Sequence, residues 1–354
     1  MSDATAAFRP AAGDTGVSVA PEPRVARPRL GFAGVGWIGR NRLDAIAGSG
    51  FGEVTAVADP DLGALAKVAD AHPAATRVGS FEELLAIDLD GVVVATPSAL
   101  HAGQSIAALE RGLAVFCQKP LARTGPETTA VITAARKANR LLGVDLSYRF
   151  TAGMVAIQDL IRRGDLGTIH AVEAVFHNAY GPDKAWFYDP KASGGGCLLD
   201  LGIHLVDLAL WTLGFPKVES AHAALRRRGV AHAGAGEGGV EDYATGVLEL
   251  AGGATVQLAC SWHLPAGCDA RIEVNFYGSR GGASFRNVGG SFYDFVAEQF
   301  LPDRSRRTLA TPPDAWGGRA AVAWAQCLSR SNTFDPSIEH LAIVAETLDR
   351  LYGR

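Results

Sequence analysis

Arg29-Leu-Gly-Phe-Ala-Gly34-Val-Gly36-Trp37-Ile38-Gly39 decides how the first part of this chain folds. A short apolar run, Leu30–Ala33, enters a G-x-G-x-x-G turn, and a helical stretch from Trp37 to Ala47 leaves it. In such a strand–turn–helix unit the first glycine permits the tight turn. The second lets the backbone approach a pyrophosphate, and the third packs helix on strand. Free N–H groups at the helix start then face the phosphates. Asp59 closes a second apolar run, Val54–Ala58, 20 residues beyond Gly39, where a carboxylate grips ribose hydroxyls. That carboxylate repels a 2′-phosphate, and residues 60–66 hold no basic side chain. NAD is therefore favoured over NADP, although Arg40 lies within reach of either phosphate. A second G-x-G-x-x-G match, Gly234–Gly239, follows an arginine run and precedes a strand, so it reads as a flexible hairpin loop.

Outward from this turn, strands alternate with helices. Gly91–Ala95 is an unbroken run ending the pattern Gly-Val-Val-Val-Ala, as expected for a parallel strand covered on both faces. Ala114–Cys117 and Leu142–Leu146 read as further strands, with helices at Asp61–His72, Leu100–Arg111 and Glu127–Ala138. Strands spaced by helices of this length make βαβ units, so residues 29–150 are expected to form an α/β Rossmann domain with a doubly wound parallel sheet. After Phe150 the pattern changes. A long helix, Cys197–Leu213, precedes strands at Val218–Arg227, Tyr243–Leu250, Ala254–Trp262, Arg271–Tyr277 and Gly282–Arg286. Gly252-Gly253 marks a hairpin. Helices near Ala320–Leu328 and Ser337–Leu351 finish the chain. Residues 151–354 are expected to form an α+β domain with a large, mostly antiparallel open sheet that serves substrate binding and oligomerisation.

Composition narrows the function classes. The chain has 354 residues, 48% of them hydrophobic, which is enough for two cores and excludes wholesale disorder. A net charge of −4 gives no basic surface for nucleic acid. Five cysteines with no Cys-x-x-Cys pair argue against a zinc ribbon or a disulfide scaffold, and suit a reducing, cytoplasmic setting. No uninterrupted apolar run reaches the ~18 residues of a membrane span. Residues 1–28, rich in alanine and proline, read as a disordered tail. The arginine runs at 226–228 and 304–307 read as solvated loop charges.

Two segments carry candidate chemistry. In Gly194-Gly-Gly-Cys-Leu-Leu-Asp200-Leu-Gly-Ile-His204-Leu-Val-Asp207, helical spacing puts Asp200, His204, Asp207 and Trp211 on one face and an apolar stripe on another. Two carboxylates and one imidazole make a thin metal site, so no metal is expected. An acid–base pair, with Asp200 orienting His204, competes here with a salt-bridged helix histidine. Lys119, in Gln118-Lys119-Pro120, follows a strand at the carboxyl edge of the sheet, where ligands of open α/β sheets bind.

Taken together, these features resemble the Gfo/Idh/MocA family, named for glucose–fructose oxidoreductase, inositol dehydrogenase and a rhizopine-catabolism protein. They recur in the family's order from Arg29 onward. Gly34–Gly39 with Asp59 comes first, then Ala95-Thr96-Pro97 with His101, then Lys119-Pro120. Ser147-Tyr148-Arg149-Phe150 follows, then Trp186, Asp189 and Ser193-Gly-Gly-Gly196, the Asp200-x-Gly202-x-His204-x-x-Asp207 helix, and Val240-Glu-Asp-Tyr243. The resemblance implies a coenzyme site of Gly34, Gly36, Trp37, Ile38, Gly39, Asp59, Thr96, Pro97, His101, Gln118 and Lys119. It implies catalysis by Lys119 and His204, with Asp200 supporting His204. Tyr148, Arg149, Tyr180 and Trp186 join Asp200 and His204 as implied substrate residues. The family usually has Glu-Lys-Pro where this chain has Gln118. The amide keeps the shape, removes a negative charge beside Lys119, and implies an altered hold on the ribose.

The reaction so implied is hydride transfer between NAD and a secondary alcohol of a sugar or cyclitol. Members of the same family can also use bound NAD transiently, oxidising and then re-reducing the sugar within one turnover, and some members are non-catalytic NAD-binding regulators. The open sheet is expected to leave an apolar face that a second subunit covers, giving a homo-oligomer, a dimer or tetramer.

Overall fold

A computed structural model of the chain describes residues 27–233 and 238–354; the tail up to residue 26 and the core of the glycine loop, residues 234–237, lie outside the described residues. The first sheet is built from β1 (Arg29–Ala33), β2 (Glu53–Ala58), β3 (Thr76–Val78), β4 (Gly91–Val94), β5 (Ala114–Cys117) and β6 (Leu142–Val144). Its order is β3-β2-β1-β4-β5-β6, with every pair parallel. Helices α1 (Trp37–Ser49), α2 (Leu62–Ala71), α3 (Phe81–Leu84), α4 (Ser98–Glu110) and α5 (Gly125–Ala138) connect the strands. All four residues of β4 and of β5 are buried, because helices cover both faces. The strand order reverses between β1 and β4, which is where ligands of such sheets lie.

Among the described residues the second sheet has nine strands, and it begins earlier than the sequence suggests. Its members are β7 (Ile169–Asn178), β8 (Val218–Arg227), β9 (Val230–Ala231), β10 (Tyr243–Leu250), β11 (Thr255–Ser261), β12 (Ala270–Gly278), β13 (Gly281–Asn287), β14 (Phe295–Phe300) and β15 (Arg306–Ala310), in the order β15-β14-β13-β12-β7-β11-β10-β8-β9. The central strand, β7, pairs antiparallel with β12 and parallel with β11. Helices α6 (Ala152–Arg162), α8 (Ile203–Thr212) and α10 (His340–Tyr352) line one face through residues such as Met154, Ile157, Leu205 and Leu351. The other face exposes Thr245, Val247, Glu249, Gln257 and Tyr277. It is therefore a mixed polar surface, not the apolar one expected: the helices already cover the apolar face.

Two further details depart from the sequence reading. Helix α9 (Arg319–Leu328) returns from the far end of the chain to the first sheet, where Ala321, Trp324 and Ala325 pack, with Trp324 5.7 Å from the Phe116 ring. The helix expected over Cys197–Leu213 is preceded by α7 (Pro190–Ser193) and opens with a π-turn, Leu198–Gly202. The whole run Pro190–Thr212 is long and apolar enough to cross a bilayer, yet 94% of its apolar window is buried inside the protein. It is the core helix of the second domain.

Candidate active site

The glycine turn is built as its sequence requires. Gly34 has φ +82°, and a Cβ there would lie 2.5 Å from the Ala95 carbonyl oxygen at the end of β4. A Cβ on Gly39 would lie 2.0 Å from the Gly34 oxygen, so only glycine lets α1 sit this close. Gly36 differs: a Cβ there meets nothing within 4 Å, leaving an open cradle above the helix start. Among the described residues no side chain caps that helix, which leaves its first N–H groups for a phosphate. Asp59 is fixed by the Val35 N–H at 2.8 Å and the Asp61 N–H at 2.9 Å. These residues fit a dinucleotide. Trp37 is 63% exposed and Ile38 is half-buried, so neither side chain closes the turn.

Beside the turn, Thr96 donates its hydroxyl to Gln104 at 2.6 Å, and Pro97 precedes α4. His101, expected in the coenzyme set, is turned inward. It is 1% exposed, and its ring nitrogens lie 2.7 Å from the Thr96 and Pro120 carbonyl oxygens. It fastens two loop backbones, and burial, helped by Lys119, pushes its pKa down. Gln118 is buried and donates to Asp145, which also holds Arg42 and Ser147. Its side chain therefore faces this ion pair and not Lys119.

Lys119, at the carboxyl edge of the first sheet, reaches its ammonium to the π-turn. Its Nζ donates to both the carbonyl and Oδ1 of Asp200, each at 2.7 Å. Asp200 Oδ2 accepts from Trp262 Nε1 at 3.1 Å. Asp200 thus orients Lys119 instead of His204, since an ammonium outcompetes a neutral imidazole for a carboxylate. One helical turn on, His204 is 8% exposed, and burial together with Lys119 pushes its pKa well below the ordinary imidazole value. Its ring packs edge-on to Tyr148 at 4.9 Å and near Phe176 at 6.2 Å. The site holds a neutral proton acceptor beside a carboxylate-held cation.

Arg149, expected among the substrate residues, is turned toward α8. It pairs with Asp207 through Nε, at 2.8 Å, and Nη2, and lies over the Trp211 and Phe215 rings. Burial pushes the Asp207 carboxyl up, with Arg149 pulling it back. Both groups brace α8 and neither is free for substrate. Tyr148 is buried, and its pKa is pushed up by that burial. Tyr180 is 52% exposed, 6.0 Å from Phe292, and so belongs to an outer rim. Trp186 stacks on Phe187 at 3.8 Å, and Phe187 in turn sits 6.4 Å from Trp262, so Trp186 is one ring removed from the centre.

Some site residues were not identified from sequence. Trp262 grips Asp200, and Trp316 stands 5.0 Å from Tyr148 with its Nε1 donating to the Tyr293 carbonyl. Glu241 is 0% exposed and accepts from Gly196 N, Leu198 N and Tyr352 Oη, anchoring the start of the π-turn. A Cβ on Gly196 would sit 1.9 Å from the Glu241 oxygen, which accounts for part of the glycine run. Only Glu241 had a local signal, its place beside a strand start. Among the described residues no group of three or more His, Cys, Asp or Glu side chains is placed to hold a metal.

Comparison with known proteins places the chain among oxidoreductases. Residues 29–146 match the profile described as the oxidoreductase family, NAD-binding Rossmann fold, and residues 154–284 match the GFO/IDH/MocA C-terminal domain. A 1,5-anhydro-D-fructose reductase of Ensifer adhaerens is 32% identical over 265 residues, 73% of this chain and 76% of that protein. D-glucoside 3-dehydrogenase of Escherichia coli is 31% identical over 210 residues, covering 57% of this chain and 60% of that protein. Among solved structures, GenD2 from gentamicin A biosynthesis in complex with NAD superposes with TM-score 0.77 at 25% identity, covering 96% of this chain and 97% of that one.

Proposed function

The chain belongs to the GFO/IDH/MocA oxidoreductase family and has its NAD(P)-binding Rossmann domain, and from that premise we propose that it moves hydride between a secondary alcohol of a neutral sugar or cyclitol and NAD. The observation that carries this reading is the meeting of Lys119, Asp200 and a neutral His204 at the carboxyl edge of the coenzyme sheet. The bound coenzyme supplies the hydride acceptor or donor. Gly34, Gly36, Gly39 and the start of α1 would hold its phosphates, and Asp59 its ribose. His204, kept neutral by burial, takes the hydroxyl proton in oxidation and returns it in reduction. The Lys119 ammonium, aimed by Asp200, stabilises negative charge on the same oxygen.

Three observations support the finer choices. Asp59 and Asp61 follow β2 with no basic side chain between residues 60 and 66, which supports NAD over NADP. Lys119 and Arg149 are both paired with carboxylates, which supports an uncharged substrate over a phosphorylated one. The rings of Tyr148, Trp262 and Trp316, gathered about His204 and Asp200, also suit a sugar ring. The names of the sugar-acting relatives point the same way. We also propose a homo-oligomer that uses the exposed face of the nine-stranded sheet; a monomeric mass in light scattering at micromolar concentration would remove that part.

The test is incubation with NAD and a panel of sugars, cyclitols and sugar acids, followed at the NADH absorbance band. One compound class should give a rise that His204→Ala abolishes while NAD binding persists. Silence across the panel with NAD bound would overturn net dehydrogenation, in favour of transient redox chemistry or a regulator.

A further inference from the structure

One buried carboxylate joins three turns at the coenzyme edge. Asp145, 2% exposed and just after β6, accepts from Arg42 Nε at 2.5 Å, from Gln118 Nε2 and from Ser147 Oγ. Arg42 Nη2 also donates to Ser147 Oγ at 3.1 Å, and the Asp145 N–H donates to the Cys117 carbonyl at 2.9 Å. The cluster ties the glycine-turn helix to the strand end bearing Gln118-Lys119 and to the turn bearing Tyr148.

A carboxylate accepts and does not donate, so it fixes which way round the Gln118 amide sits. Nε2 faces Asp145, and Oε1 faces away. Oε1 has no partner among the described residues, yet it is not one of the sealed, unpartnered buried atoms. Gln118 lies at the carboxyl end of β5, on the edge where the coenzyme is read to bind. We propose that Asp145 is a positioning residue for the coenzyme: by claiming the amide N–H of Gln118, it presents the uncharged Oε1 to a ribose hydroxyl. This rests on the reading that NAD occupies the cleft.

The charged and titratable groups around the cluster are few. Arg42 from α1 balances Asp145, and Lys119 on the far side is balanced by Asp200. The Cys117 thiol beneath is pushed up to about 12, chiefly by burial, and His101 from α4 is pushed down. NAD affinity of the parent protein should therefore be flat from pH 6 to 8.

The test is NAD affinity by calorimetry at pH 5.5 and pH 8, with thermal unfolding of each free protein alongside. Gln118→Glu sets two carboxylates together, so its Kd should rise about tenfold at pH 8 and recover at pH 5.5 as one takes a proton. Adding Asp145→Asn should restore affinity at pH 8, because the new amide donates to Glu. Gln118→Met keeps the shape, removes the acceptor, and should weaken NAD about tenfold at both pH values. It also keeps the test available if Gln118→Glu does not fold. A purely structural role would lower the melting temperature while leaving Kd flat with pH. Unchanged Kd in Gln118→Met, or no rescue by Asp145→Asn, overturns the proposal alone. A parent protein that binds neither NAD nor NADP overturns the coenzyme reading and the proposal with it.

Discussion

Arg149→Met should damage stability far more than substrate affinity. Asp207 is 1% exposed and accepts from Arg149 Nε at 2.8 Å and from Nη2. Removing the guanidinium leaves a carboxylate inside the core, and breaking a buried pair in this way costs about 3–5 kcal/mol. Methionine keeps much of the stem against Trp211 and Phe215 but loses the cation–π contacts, about 0.5–1 kcal/mol each. At about 2–4 °C per kcal/mol for a domain of roughly 200 residues, the melting temperature falls on the order of 10 °C. The double variant Arg149→Met/Asp207→Leu should regain most of this, because apolar replacement of a whole buried pair is near neutral. The pH dependence has a definite sign. Burial raises the folded-state pKa of Asp207 above its unfolded value, so its contribution is full below the ordinary carboxylate range and is lost as pH rises. Without Arg149 that raise grows, and the variant should lose more stability between pH 5 and pH 8 than the parent does. Calorimetric melts of parent, single and double variants at both pH values, with KM at a permissive temperature, decide the matter. A variant melting within about 2 °C of the parent with a strongly raised KM would refute the reasoning and return Arg149 to the substrate site.

His204 is neutral at neutral pH, so the acid limb of kcat/KM for oxidation should lie below the free imidazole value of about 6.5; Lys119→Met removes a cation that depresses it, and should move the limb upward in pH–rate profiles. Trp262→Phe removes the 3.1 Å hydrogen bond to Asp200 and should lower kcat about tenfold, with NAD affinity by calorimetry unchanged. Gly36→Ala adds a methyl into open space, so the melting temperature should hold while NAD Kd rises at least about tenfold; Gly39→Ala, whose Cβ meets the Gly34 oxygen at 2.0 Å, should lose stability as well.

The coenzyme half was legible because its determinants are local. Strand, glycines, helix start and Asp59 all lie between Arg29 and Asp59, and each glycine does what its position implies. The second sheet was half legible. Alternating strands such as Tyr243–Leu250 announce themselves through buried and exposed residues in turn. β7 went unseen even though it is the central strand, because its position depends on pairing with β11 and β12, more than 80 residues away. The return of α9 to the first sheet had no signal in its own residues, since an amphipathic helix shows that it packs and not against what.

The active site shows the same limit at the level of single atoms. Helical spacing makes Asp200 and His204 neighbours, and that proximity suggested a carboxylate supporting an imidazole. In the fold Asp200 instead binds Lys119, 81 positions away, and Trp262, 62 positions away. The choice follows from charge and burial. A carboxylate gains more from an ammonium at 2.7 Å than from an imidazole held neutral by desolvation, and Lys119 itself keeps that imidazole neutral. Arg149 and Asp207 repeat the pattern, each meeting the other 58 positions apart instead of facing the substrate. Periodicity supplies the candidates on a face, and the long-range cations decide which of them are braced and which stay free to react. By that argument His204 is the one acid–base group on its face without a charged partner, which supports the proposal that it exchanges the proton.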